Sequence, residues 1–392
     1  MSPSILIFLF FILSTLSILS SMATLHDLHH PHPIIIPPKY NRPNKISMFD
    51  SIYQFGDSIS DTGNLVIENP IGATNFANYP YGQTIHHPTG RCSDGLLMID
   101  FFAQYFNVPL LMPFLNKQAR FHQGVNFAVA GSTALDSASL LSKGVFSPVT
   151  NSSLSVQLKW FHSYLDSVCS NTTSQSQCEK KMQRSLFLIE TGGNDYNYAL
   201  LQNKTVEEVK MNMVPEVVGA IKKAVIQIIN QTHANHIIVP GNFPIGCLPI
   251  YLSSFQSKDQ TQYDELGCLK GLNGFAKVHN KALQEAIKEI KEEYPRSKVV
   301  YGDYYNALSS VLRDAVALGF DGQNVHNACC GAADHPNHFY LMKMCGSEDA
   351  SVCSNPARYI SWDGIHFTQQ AYSLMSDYLL HQILPSFLPY LD

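Results

Sequence analysis

Along the chain, short apolar runs alternate with longer stretches in which apolar residues recur every third or fourth position. The short runs are Ser51–Phe55, Val125–Val129, Ser185–Glu190, His236–Pro240 and Lys298–Tyr301. Their near-continuous apolar character predicts strands buried on both faces. Val206, Val209, Met213, Val217, Ile221, Ala224 and Ile228 trace one stripe on a helix predicted over Val206–Ile229. Phe275, Ala276, Leu283, Ala286, Ile287 and Ile290 do the same over Leu272–Ile290. Strands alternating with helices predict an α/β fold: a mostly parallel sheet between two helical layers. In such folds ligands bind beyond the carboxyl ends of the strands, so chemistry is expected just after each short run.

The first 48 residues break this pattern. Ile5 to Leu19 is almost wholly apolar and is followed by Ser21-Met22-Ala23, which has the small-x-small form of a cleavage site. The run is short for a bilayer span, and it predicts a signal peptide over residues 1–23, although the first lysine is only Lys39. Residues 24–48 are rich in His and Pro. His29, His30 and His32 could ligate a metal, but the prolines forbid regular structure and a solvated linker is the simpler reading. No second linker or repeat follows, which leaves residues 49–392 as one catalytic-sized domain.

Composition changes this picture little. The net charge of -5 and the lack of a basic stripe argue against a nucleic-acid partner. Export is supported by glycosylation sequons at Asn151, Asn171, Asn203 and Asn230. The nine cysteines contain no C-x-x-C pair, so disulfides are expected rather than zinc. Cys169 and Cys178 flank a polar loop and suit a local bridge, while Cys329, Cys330, Cys345 and Cys353 crowd one segment. Nine is odd, and Cys92 is the candidate free thiol. After signal removal no membrane anchor is expected, and the chain's oligomeric state is not legible.

Four motifs carry candidate chemistry. The first run leads into Gly56-Asp57-Ser58, a small residue and a polar turn that present a hydroxyl at the sheet rim. The G-x-S-x-G elbow does not fit, because Ser60 stands where its second glycine belongs. Asp363-Gly364-Ile365-His366 places a carboxylate within one turn of an imidazole, so that Asp363 can hold Nδ1 of His366 and free Nε2 to take a proton from serine. Gly131 ends the second run and Asn194 follows the third in Thr191-Gly192-Gly193-Asn194-Asp195, where a backbone N–H and a side-chain amide can face an oxyanion. Each motif alone is an ordinary turn or cap. His335-Pro336-Asn337-His338 holds two histidines three apart, but its proline disfavours a helix and it reads as loop, with no metal site assigned.

Taken together in the order Ser, Gly, Asn, Asp and His, these residues resemble the SGNH hydrolases, and Phe55-Gly56-Asp57-Ser58 resembles the motif of the GDSL esterase/lipase family. The resemblance spans nearly the whole chain after the linker and follows the plant branch. Tyr79-Pro80-Tyr81-Gly82, Pro88–Gly95, Gly192–Tyr198, Pro244-Ile245-Gly246-Cys247 and Trp362–Thr368 look like that branch's blocks. Within it the chain most resembles acetylajmalan-esterase-like metabolite esterases. Ile59, Thr191 and Leu96 depart from the pattern, which bears on pocket shape and subfamily. The resemblance implies a three-layer α/β/α sandwich and a serine esterase with Ser58 as nucleophile, His366 as base and Asp363 as its orienting acid. It also implies an oxyanion hole from Ser58, Gly131 and Asn194, no cofactor, and a small-molecule ester substrate. The same acyl-enzyme could serve an acyltransferase. A secreted binding protein with a dead site is the non-enzymatic alternative, against which the intact residue set speaks.

Overall fold

A computed structural model describes residues 48–69, 71–170 and 175–387. The expected signal peptide, all of the linker but Met48, and the Asn171 sequon lie outside the described residues. Five strands form one parallel sheet: β1 (Ile52–Gly56), β2 (Gly124–Asn126), β3 (Leu186–Glu190), β4 (His236–Pro240) and β5 (Lys298–Gly302), in the order β2-β1-β3-β4-β5. The chain steps from β1 outward to β2, then crosses back over β1 to β3. The seam between β1 and β3 is therefore the topological switch point, where loops leave toward opposite sides and open a crevice.

Side-chain alternation sets the two helical layers. Tyr53 on β1 and Phe187 beside it on β3 stack at 5.1 Å, and Tyr53 meets Phe161 and Tyr164 of the helix Leu154–Ser170. Ile52, Leu186 and His236 share the other face through the register. There the His236 ring packs edge-on against Phe49 and against Phe387 at the end of the helix Gln369–Phe387. Helices Met98–Tyr105 and Tyr304–Arg313 pack on Gln369–Phe387, while Val214–Thr232 packs against Leu154–Ser170 and Lys270–Glu293. This is the α/β sandwich that the hydrophobic pattern predicted.

Two predicted elements differ in extent. The single helix over Val206–Ile229 is two helices, Val206–Asn212 and Val214–Thr232, because Pro215 lacks the N–H that would continue the ladder and starts a new first turn. The second run pairs as a strand only over Gly124–Asn126. Beyond it, Phe127 and Val129 still donate to Gln54 and Gly56 of β1, whereas the Ala128 N–H turns to the Asn126 side chain. His335–His338 is an irregular turn in which Asn337 and His338 have left-handed φ of 53° and 52°, so it forms no regular helix.

Four disulfides join Cys169–Cys178, Cys247–Cys268, Cys329–Cys353 and Cys330–Cys345, and Cys92 is a buried free thiol. The Cys247–Cys268 bridge was not foreseen. Burial, followed by the nearby Asp363, Asp61 and Asp57 charges, pushes the Cys92 thiol well up, so it stays protonated and unreactive. Among the described residues no helix is long and apolar enough to cross a membrane.

Candidate active site

β1 ends at Gly56, whose φ of 152° lies in the region only glycine adopts readily. A side chain there would also collide with the Glu190 carbonyl of β3. This close approach lets the chain leave the sheet abruptly, and a tight turn closed by Ser60 and Asp61 N–H bonds to the Asp57 carbonyl lifts Ser58 onto the rim. Gln157 grips the exit point from below. Its carbonyl accepts the Gly56 N–H, and its amide donates to the Gly56 carbonyl and to Ser132 Oγ.

The C-terminal loop meets that turn. His366 Nε2 lies 2.7 Å from Ser58 Oγ, and His366 Nδ1 lies 2.7 Å from Asp363 Oδ2. The spacing of three residues works because the other Asp363 oxygen, Oδ1, accepts the Ile365 and His366 N–H groups at 3.0 and 2.8 Å, winding the loop tightly around the carboxylate. Burial alone would raise the Asp363 pKa, but the His366 charge and these hydrogen bonds outweigh it and hold the carboxyl below its ordinary value. It therefore stays ionised at neutral pH. Ser58, Asp363 and His366 are 8%, 1% and 5% exposed, so the relay is sheltered from solvent competition.

The loop is supported from behind. Cys329 and Cys330 donate to the Ser361 and Trp362 carbonyls, and two disulfides tie Cys329 and Cys330 to Cys353 and Cys345. Trp362 and Phe367, which flank the motif, are fully buried.

Gly131 and Asn194 reach the same rim from β2 and β3. Gly131 has a φ of 80°, and its carbonyl accepts the Tyr198 hydroxyl at 2.7 Å. Asn194 stands in the first turn of the helix Gly193–Leu201 and donates from Nδ2 to the Ser132 carbonyl at 2.9 Å. That leaves its second N–H for another acceptor. Its orientation is imposed by a relay: Tyr251 donates to Asn197 Oδ1, and Asn197 Nδ2 donates to Asn194 Oδ1 at 3.3 Å. The Asn194 oxygen thus faces Asn197 and its N–H groups face the other way.

Several contributors escaped the sequence reading. Tyr81 is buried and donates to Asp363 Oδ2 at 2.8 Å, the same oxygen that faces His366. Burial and then the Asp363 charge push this phenol well above its ordinary pKa, which keeps it a donor. Asp195 accepts the Ala134 and Leu135 N–H groups and so ties the Gly131 loop to Asn194. Asp61 accepts N–H groups from Gly63, Asn64, Leu65 and Ala130, which ties the Ser58 loop to the Gly131 loop. Tyr81 and Asp195 sit inside quoted motifs. Their roles were hidden because each partner is distant in sequence. The half-buried Phe76 sets its ring edge-on to His366, 6.5 Å between centroids, and forms part of one wall of the site.

Among the described residues, no group of three or more His, Cys, Asp or Glu is placed to hold a metal ion. What the arrangement offers is a hydroxyl aligned with a carboxylate-oriented imidazole, together with an amide donor anchored on the neighbouring strand end.

Known proteins share this sequence over most of its length. The profile of the GDSL-like lipase/acylhydrolase family matches residues 52–379. Acetylajmalan esterase 1 of Rauvolfia serpentina is 44% identical over 86% of this chain and 88% of that protein. Acetylajmalan esterase 2 of the same plant is 46% identical over 86% of the chain and 91% of its own length. A GDSL esterase/lipase of Arabidopsis thaliana is 44% identical, covering 85% of this chain and 82% of that protein.

Proposed function

The chain belongs to the GDSL-like lipase/acylhydrolase family and is a carboxylic ester hydrolase for small-molecule esters; from that premise we propose that it works through an acyl-enzyme on Ser58. The observation that carries this reading is the continuous relay Ser58 Oγ, His366 Nε2, His366 Nδ1, Asp363 Oδ2, each link 2.7 Å. In this mechanism His366 removes the Ser58 proton as Oγ attacks the ester carbonyl, and Asp363 stabilises the imidazolium that forms. The oxyanion is held by the backbone N–H groups of Ser58 and Gly131 and by the free Asn194 N–H. His366 then protonates the leaving alcohol and afterwards activates water to release the acid.

The role of Asn194 has a measurable signature. Asn194→Ala is expected to lower kcat by roughly 10²–10³-fold with a smaller change in KM, because the donor acts chiefly when negative charge develops. Steady-state kinetics checks this, and a sharp rise in KM at constant kcat would instead make Asn194 a substrate-binding residue.

The substrate we propose is a short or aromatic acyl ester of a bulky plant specialised metabolite, such as an alkaloid. Its support is the similarity to esterases named for acetylajmalan. A rigid alcohol filling a largely pre-formed site supplies binding energy that orients the ester, whereas a long flexible acyl chain loses more entropy on binding. Purified protein incubated with acetyl and aromatic esters of alkaloid-like alcohols should show a higher kcat/KM than with emulsified long-chain triglyceride. Preference for the triglyceride with activation at the lipid–water interface contradicts the proposal.

The protein is further proposed to enter the secretory pathway by cleavage of residues 1–23 and to carry N-glycans. Four disulfides suit an oxidising compartment, and Asn151, Asn203 and Asn230 are exposed. Thr232 of the third of these sequons is buried with its hydroxyl bonded to the Ile228 carbonyl, so a glycan on Asn230 has to be added before the helix packs.

A further inference from the structure

The mechanism leaves two buried acids beside Ser58 without a role. Asp57 immediately precedes the serine, and Glu190 ends β3 opposite Gly56 in the register. They are 4% and 8% exposed. Their carboxyl groups interact directly across the β1–β3 seam. Glu190 Oε2 accepts Ser60 Oγ at 3.0 Å, and Asp57 Oδ1 accepts the Ile59 N–H at 3.1 Å. The pair therefore holds the turn where it passes Ser58, through Ile59 and Ser60. The other titratable groups that bear on it are His366 from the C-terminal loop, Asp195 and Tyr198 from the helix after β3, Tyr304 from the helix after β5, Tyr372 from the helix Gln369–Phe387, and Cys92. Of these only His366 can be a cation.

Two carboxylates in contact in a buried site cannot both stay ionised, and one proton held between them turns repulsion into an O–H···O⁻ hydrogen bond. We propose that Asp57 and Glu190 share one proton and in that state brace the Ser58 turn, making Glu190 a positioning residue for the nucleophile. Removal of the proton by hydroxide leaves two carboxylates and water. The like charges then strain the β1–β3 seam, and a second anion stands near the developing oxyanion.

The direction of pH dependence follows. Burial is the first cause that lifts both acids, and it takes the Glu190 carboxyl from an ordinary 4.5 to about 7. A pKa raised on folding gives stability that is full below the ordinary value and is lost as pH rises through the folded one. Asp195, also raised to about 7 by burial, acts in the same sense, so a substitution is needed to separate them.

The test is the thermal midpoint between pH 5 and 9, measured for wild type, Glu190→Gln and Asp57→Asn, each also carrying Ser58→Ala. An amide in place of either carboxyl supplies a permanent N–H donor to its partner. The fall of Tm across this window is expected to be at least halved in both amide variants. An unchanged fall in a folded amide variant overturns the shared proton. Should neither variant fold, the infrared carbonyl band of protonated carboxyl in Asp195→Asn decides the matter: loss of a carboxyl proton near pH 7 supports the pair, and no loss overturns it. The bracing role rests on Ser58 being the nucleophile and has its own readout. With Ser58 present, wild-type kcat is expected to fall about tenfold per pH unit above the pair's pKa, and Glu190→Gln to remove that limb. An alkaline limb identical in both overturns the bracing, whereas the Tm arm is independent of catalysis.

Discussion

Ser58→Ala is expected to lower kcat by about a million-fold while leaving the fold intact, the scale on which loss of a triad serine acts. The structure makes the substitution unusually clean. The Ser58 hydroxyl bonds to His366 Nε2 and is otherwise at the rim, and alanine fits the same turn, which is held by Gly56, Asp57 and Gln157 rather than by Oγ. Stability should therefore change by about 1 kcal/mol or less, the cost of one hydrogen bond. Substrate affinity should persist, because the walls of the site and Asn194 are untouched. The measurements are steady-state turnover and thermal melting of the same preparation. Hydrolysis at a sizeable fraction of the wild-type rate, in a sample free of contaminating esterase, removes Ser58 from the mechanism.

Asp363→Asn is expected to lower kcat by about 10⁴-fold, through the tautomer of His366 rather than through loss of structure. Two backbone N–H groups, from Ile365 and His366, point at Oδ1, so the amide oxygen must occupy that position. The amide NH₂ then takes the place of Oδ2, where it faces His366 Nδ1 and the Tyr81 hydroxyl. Tyr81 can rotate its hydroxyl hydrogen away and accept. His366 Nδ1 is forced to accept as well, which moves the imidazole proton to Nε2 and leaves no base for Ser58. NMR of the imidazole nitrogens reports the tautomer directly. A variant that keeps the proton on Nδ1, or keeps more than about a tenth of wild-type turnover, contradicts this account of Asp363.

The fold was legible where burial is expressed locally. The five apolar runs became the five strands of the sheet, and their carboxyl ends marked the rim on which Ser58, Gly131 and Asn194 stand. Helix continuity was less legible. The stripe through Met213 keeps its period across the break that Pro215 imposes, since a change of helix axis need not interrupt an apolar pattern. At the site, motif spacing captured the Asp363–His366 pair because both lie within one turn. It could not capture Tyr81 on Asp363, Asp195 on the Gly131 loop, or Glu190 beside Asp57. Those contacts depend on strand register and loop packing, which join residues between about 60 and 280 positions apart. The pairing of Cys329 with Cys353 and Cys330 with Cys345 was hidden for the same reason: the crowding of four cysteines was visible, but not which sulfurs meet.

The most direct test of the central claim is to trap the acyl-enzyme. Wild-type protein mixed with an activated aromatic acyl ester should be quenched in acid after a few turnovers, digested, and its peptides weighed. The account predicts the acyl mass on the peptide that contains Ser58, localised to that residue and absent from Ser58→Ala. An acyl group found on another side chain, or steady turnover with no covalent adduct under conditions where deacylation limits the rate, would contradict it.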